Sequence, residues 1–169
     1  MKTPILLAAT LAGIALTAAA CGTTSSANGY GSSPASSPLS ASPSPVPVAP
    51  GTAIVDVGQT SLGSVLVDKA GRTLYLFLAD KGTSSACYGQ CATYWPPLTT
   101  TDKPLVGTGA NPSFLGTSVR TDGTTMVTYN GHPLYYFIGD KKAGDVSGQG
   151  VNGFGALWFV VSPSGTQIG

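Results

Sequence analysis

The ten residues Gly71-Arg-Thr-Leu-Tyr-Leu-Phe-Leu-Ala-Asp80 return sixty positions later as Gly131-His-Pro-Leu-Tyr-Tyr-Phe-Ile-Gly-Asp140, with five of the ten identical. Lysine follows each copy, then a loop of small residues, then a tryptophan, Trp95 or Trp158. A self-match this long at a fixed period means that one supersecondary unit is used twice, and it constrains the fold more than any other feature of the chain. The units are expected over about residues 53–100 and 112–161 of a domain covering 53–163.

Helical periodicity is nearly absent around these copies. Short apolar runs bounded by turn residues recur instead, as strands would. Strands are expected over residues 53–57, 62–68, 72–78, 117–121, 124–129, 132–138 and 154–161. Asp122-Gly123 and Asn130-Gly131 supply hairpin signals, because both central residues of a type I′ turn take positive φ. Along the repeated strands Leu74, Leu76 and Leu78 alternate with Tyr75 and Phe77, and Leu134, Tyr136 and Ile138 with Tyr135 and Phe137. Strands apolar on both faces are covered on both faces, so these two belong in the middle, side by side about a pseudo-twofold axis. The expectation is an all-β domain of tandem hairpin or meander units, forming a small sandwich or a partly closed barrel.

The N-terminus sets the address. Lys2 precedes an apolar small-residue run from Ile5 to Ala20, too short for a membrane span and ending in Ala18-Ala19-Ala20-Cys21. Residues 1–20 read as a cleaved signal. The ending resembles the lipobox of bacterial lipoproteins, with Ala18 in place of the more usual leucine. That resemblance implies a mature N-terminus at Cys21 carrying diacylglycerol and a palmitate, anchored on the extracytoplasmic face of the cell membrane. A plain secretory signal with a leftover cysteine is the alternative. Residues 21–52 follow, rich in Ser, Pro, Ala and Gly and without a charged side chain. Such a composition buries too little surface to offset its ordering entropy, so it reads as a disordered tether.

Composition excludes several function classes. Of eight basic residues Lys2 leaves with the signal, and the remaining seven balance seven acidic ones. No basic cluster is present that could neutralise a nucleic-acid backbone. Glutamate is absent and histidine occurs once, a poor inventory for acid–base catalysis. No catalytic residue and no cofactor is expected. The partners left are the membrane through the lipid, and a cell-wall polymer or an envelope protein.

With Cys21 lipidated, Cys87 and Cys91 remain as a pair, most simply a disulfide outside the cytoplasm. A redox pair is the first alternative, although its three-residue spacing and all-β setting are unlike a thiol oxidoreductase. A soft-metal site for copper or haem iron is the second, with Met126 and His132 as thin further ligands. The paired Asp80 and Asp140, with Tyr75, Tyr135, Trp95 and Trp158 beside them, have two readings. They could hold a cation or stack a sugar, or each Asp could accept backbone N–H bonds from the turn that follows while the rings pack a core. The glycine-rich loop 144–153 lacks the lysine and helix of a phosphate loop, but would suit a binding loop.

At these residues the chain closely resembles a family of predicted bacterial lipoproteins, the secreted repeat of unknown function. The hallmark Tyr-x-(Phe/Trp/Tyr)-x-x-Asp is met by Tyr75, Phe77 and Asp80 and again by Tyr135, Phe137 and Asp140. The stretch from Ser85 to Leu98, with Cys87, Cys91 and Trp95-Pro-Pro, is similar to the family's Cys-containing Trp-Pro-Pro segment. The resemblance implies the fold and an envelope location, and brings no activity.

Overall fold

The computed structural model describes residues 51–169; the expected signal, Cys21 and the expected tether up to residue 50 lie outside them. Nine strands and one short helix follow in order. These are β1 (Ile54–Thr60), β2 (Gly63–Asp68), β3 (Tyr75–Phe77), α1 (Gln90–Tyr94), β4 (Leu105–Val106), β5 (Leu115–Val119), β6 (Thr125–Tyr129), β7 (His132–Pro133), β8 (Asn152–Gly153) and β9 (Ala156–Val160). They form three small sheets in the orders β2-β1-β4, β3-β9-β8 and β5-β6-β7. Among the described residues no closed barrel forms, and the architecture is that of a sandwich built from two repeats.

The two-faced pattern of the repeated strands is realised. Leu74, Leu76, Leu134 and Tyr136 enter one core with Leu66, Val127 and Val161. Their neighbours Tyr75, Phe77 and Tyr135 enter a second core with Val65, Val67, Met126, Trp158 and Val160. Successive residues thus serve opposite faces of one layer.

The repeats are exchanged rather than stacked. Tyr75 N–H donates to Tyr135 C=O at 2.9 Å, and Tyr135 N–H returns the bond to Tyr75 C=O at 3.0 Å, so equivalent residues meet on the pseudo-twofold axis. In the first repeat Leu74 N–H donates to Leu66 C=O (3.0 Å), Leu66 N–H to Val161 C=O (2.8 Å) and Val161 N–H to Leu74 C=O (3.3 Å), a closed ring of three. The second repeat closes the same ring from Leu134 to Val127 (3.1 Å), Val127 to Leu98 (2.8 Å) and Leu98 to Leu134 (2.8 Å). Val161 belongs to the second repeat and Leu98 to the first. Each unit therefore lends the segment after its tryptophan to the other.

Several strand limits differ from expectation, each for a local reason. The run 72–78 shortens to β3, and Leu78 emerges half exposed beyond the core. The run 132–138 keeps β7 and then an isolated bridge from Tyr135 to Pro97, because Pro96 and Pro97 offer no N–H to a ladder. Residues 154–161 yield β9 from Ala156, since Phe154 (φ 58°) and Gly155 (φ 95°) form the two-residue turn between β8 and β9. Asn130 (φ 49°) and Gly131 (φ 79°) make the expected type I′ turn, whereas at Asp122-Gly123 only Gly123 has positive φ. There Arg120 N–H bonds Thr124 C=O across a three-residue loop. The chain also continues in contact beyond residue 163, with Ile168 N–H donating to Val160 C=O at 3.0 Å.

Candidate functional site

The residues singled out in sequence converge around the pseudo-twofold axis. Tyr75 and Tyr135 pair through their backbones and enter the same core, and each phenol ends on the carboxylate of the other repeat. Tyr75 Oη donates to Asp140 Oδ2 at 2.7 Å, and Tyr135 Oη donates to Asp80 Oδ2 at 2.8 Å. The second carboxylate oxygens take backbone donors: Asp80 Oδ1 from Ala86 N–H at 2.7 Å, Asp140 Oδ1 from Ser147 N–H at 2.9 Å. Each Asp thus orders the loop that follows it and holds the opposite repeat's tyrosine.

Between the phenols lies a four-ring stack. Trp95 and Trp158 lie face to face, with centroids 3.9 Å apart and planes 5° from parallel. Phe77 covers the outer face of Trp158 at 4.0 Å, and Phe137 that of Trp95 at 4.3 Å. Tyr75 meets Trp95 edge-on at 5.4 Å, and Tyr135 meets Trp158 at 5.2 Å. Both indoles are buried and both faces of each are occupied, which leaves no ring face for stacking a sugar. Trp95 and Trp158 are both core rings in this arrangement.

Burial, which disfavours the charged form, sets the electrostatics. Both phenols are pushed well above their ordinary range, by burial first and then by the carboxylate each faces. Burial likewise raises the carboxyl of Asp140, against the opposing bonds from Tyr75 and Ser147. Asp80 is pushed up to about 6 by burial, against the Ala86 N–H, the Tyr135 hydroxyl and nearby Arg120. Between its ordinary value of 3.8 and about 6 the folded state binds more protons at Asp80 than the unfolded chain does. Stability from this group therefore falls as pH rises through that window and is level above it. Thermal unfolding of parent and Asp80→Asn at a series of pH values checks this, with the difference in Tm moving in the variant's favour across the same window.

The symmetry is broken at Asp80. Tyr135 Oη is also hydrogen-bonded to Ser85 Oγ at 2.8 Å, and Ser85 Oγ accepts from Arg120 Nη1 at 2.8 Å. Arg120 is buried, donates to Cys87 C=O at 2.8 Å and to Asp122 Oδ2 at 3.1 Å, and lies over the Tyr88 ring at 4.3 Å. Neither Ser85 nor Arg120 was legible as a site residue; a lone arginine without a sequence partner gives no signal.

Cys87 and Cys91 form a disulfide at a sequence separation of 4, and both are buried. Cys91 lies in the helical turn α1, where no helix was expected. A closed loop this short constrains the unfolded chain little, so its reduction is expected to cost about 2 kcal/mol and leave the domain folded. Urea unfolding with and without reductant measures this, and the m-value should stay unchanged.

Met126 and His132 take no part in the Tyr–Asp pairs or the four-ring stack. Met126 is buried, its Sδ 3.9 Å from Arg120 Nη1. His132 is half-buried on β7, in register with Tyr129. Among the described residues no three His, Cys, Asp or Glu side chains are grouped to hold a metal. The loop 144–153 is a strap rather than an open binding loop. Gly148 N–H donates to Tyr75 Oη at 3.3 Å, Val160 N–H donates to Gln149 Oε1 at 2.9 Å, and Thr73 Oγ1 donates to Asp145 C=O at 2.6 Å. A Cβ at Gly148 would stand 2.8 Å from both Trp95 and Tyr75, so glycine is present there for close approach.

No curated protein and no solved structure matches the chain. A family model described as a secreted repeat of unknown function matches twice, over residues 56–99 and 116–162, one match to each interlocked unit. Together the matches cover more than half of the sequence, and the chain belongs to the secreted repeat of unknown function family.

Proposed function

We propose that this chain is a lipid-anchored envelope protein whose folded head is a non-enzymatic scaffold, displayed on a tether for structural or binding contacts at the extracytoplasmic face. The observation that carries the scaffold reading is the reciprocal use of the Tyr and Asp side chains. Tyr75–Asp140 and Tyr135–Asp80 join the repeats to each other. The residues best suited to chemistry are thereby committed to holding the head together. Membership of a secreted family supports the location. Anchoring rests on the Ala18-Ala19-Ala20-Cys21 ending.

Metabolic labelling with a palmitate analogue in a bacterial host tests the anchor. The parent chain is expected in the membrane fraction with label, and Cys21→Ser in the medium or unprocessed without it. Label-free parent protein in the soluble fraction would overturn the anchoring. Co-purification from envelope extracts tests the contact role, and a retained wall fragment or envelope protein is the expected result. Substrate turnover by purified protein would overturn the non-enzymatic reading.

A further inference from the structure

We propose that Asp140, Tyr75, Trp95, Trp158, Tyr135 and Asp80 form a proton-coupled one-electron relay, which lets the buried core of this protein accept oxidising equivalents. This goes beyond a scaffold role and does not depend on lipid anchoring.

The order of groups is continuous. From Asp140 the path runs 2.7 Å to the Tyr75 hydroxyl, edge-on to Trp95 (5.4 Å between centroids), face to face to Trp158 (3.9 Å), edge-on to Tyr135 (5.2 Å) and 2.8 Å to Asp80. Two parallel indoles in contact share a positive hole between them, so the pair is easier to oxidise than a single buried indole. Phe77 and Phe137 seal the outer faces of the pair against water. Trp158 Nε1–H donates to the Gly153 carbonyl at 3.1 Å, which is too weak a base to take its proton. A hole on Trp158 therefore stays charged until a neighbour that can release a proton takes it over.

The two tyrosines are that neighbour. A phenol that loses an electron becomes a strong acid, and its oxidation is easy only if a base accepts the proton in the same event. A carboxylate is such a base and an amide carbonyl is not. The contrast lies within this chain: Tyr129 is equally buried, yet its hydroxyl donates to the Pro163 carbonyl at 3.0 Å, which satisfies it without burying a charge. At both axial tyrosines a carboxylate stands there instead, although burial opposes its ionisation. Asp80 and Asp140 are only half-buried, so a received proton can pass on to solvent.

The step balances with an outer-sphere one-electron oxidant, such as a high-potential metal complex. The oxidant gains one electron, the indole pair loses one, and the hole moves to a tyrosine. The phenolic O–H bond breaks, its proton forms an O–H bond on the facing carboxylate, and a neutral tyrosyl radical remains.

Flash photolysis of the full chain with tris(bipyridine)ruthenium(III) generated in situ, read by transient absorption and electron paramagnetic resonance, tests this at about pH 8, well above the ordinary carboxylate range. Tyr94→Phe serves as background throughout, because Tyr94 is 46% exposed and open to direct attack. The expected result is an indole radical that gives way to a tyrosyl radical. In Tyr75→Phe/Tyr135→Phe, which removes only hydroxyls, the indole radical should persist and the tyrosyl signal should fall away. In Asp80→Asn/Asp140→Asn the transfer should slow about a hundredfold. Tyr129→Phe should change nothing. An indole radical whose decay is the same in the tyrosine double variant, or a tyrosyl signal that survives it, would overturn the relay. If the asparagine variant fails to fold, the tyrosine variant decides alone.

Discussion

Cut between the repeats, the head should not fold. Residues 51–110 produced alone are expected to be disordered, and so are residues 111–169, while an equimolar mixture should regain the native fold. The first fragment keeps the β1–β2 hairpin but loses β9, the partner of β3 in the register Tyr75 to Val160 and Phe77 to Trp158. It also leaves the Leu66–Leu74 bond without Val161, and Asp80 without Tyr135. The second fragment loses Leu98 from its ring of three and Tyr75 from Asp140. Chains of about 60 residues are marginal even with an intact core, and here each core is divided between the fragments. Circular dichroism and proton NMR dispersion of each fragment, separate and mixed, give the answer.

Trp158→Ala is expected to have the largest effect of any single substitution. The indole is fully buried, stacked on Trp95 on one face and Phe77 on the other, with Tyr135 against its edge. Removing it opens a cavity at the axis, where both repeats contribute walls and neither can collapse without shifting the other. Substitutions of this kind cost about 3–5 kcal/mol, a large share of the roughly 5–15 kcal/mol that holds a domain together. A fall in Tm of about 12–20 °C follows for a domain of this size. Val119→Ala, at a side chain 75% exposed on β5, should stay within about 0.5 kcal/mol of the parent. Chemical denaturation of the two variants side by side separates these outcomes.

The repeat made the all-β class and the central, two-faced strands legible, because apolar alternation at Leu74 to Phe77 and again at Leu134 to Phe137 leaves few other solutions. The side-by-side placement of those strands followed from the same residues. The exchange did not. When two copies carry the same strand, sequence cannot say whether the segment after Trp95 pairs within its own unit or with the other. The contacts are chemically alike, and only the length and path of the connections decide. Where the copies diverge the signal also failed. Pro96-Pro97 replaces a ladder strand with a bridge, and the helical turn at Gln90–Tyr94 is too short to show a period. Arg120 and Ser85 are not repeated at matched positions of the two copies, so repetition never marked them. The tyrosines, aspartates and tryptophans were found as a set, because each occurs twice at matched positions. Their pairing across the two repeats, Tyr75 with Asp140 and Tyr135 with Asp80, became visible only with the geometry.

Native-state hydrogen exchange of the full chain tests the interlock most directly. The amides of Tyr75 and Tyr135 bond to each other's carbonyls across the axis, and Leu66, Leu74, Val127 and Leu134 close the two flanking rings. If the repeats hold each other, all six amides open only with global unfolding, at one shared free energy and with the same dependence on denaturant. Amides of one repeat exchanging through an opening about 2 kcal/mol or more below the other's would show two separable units, and would contradict the reciprocal interlock.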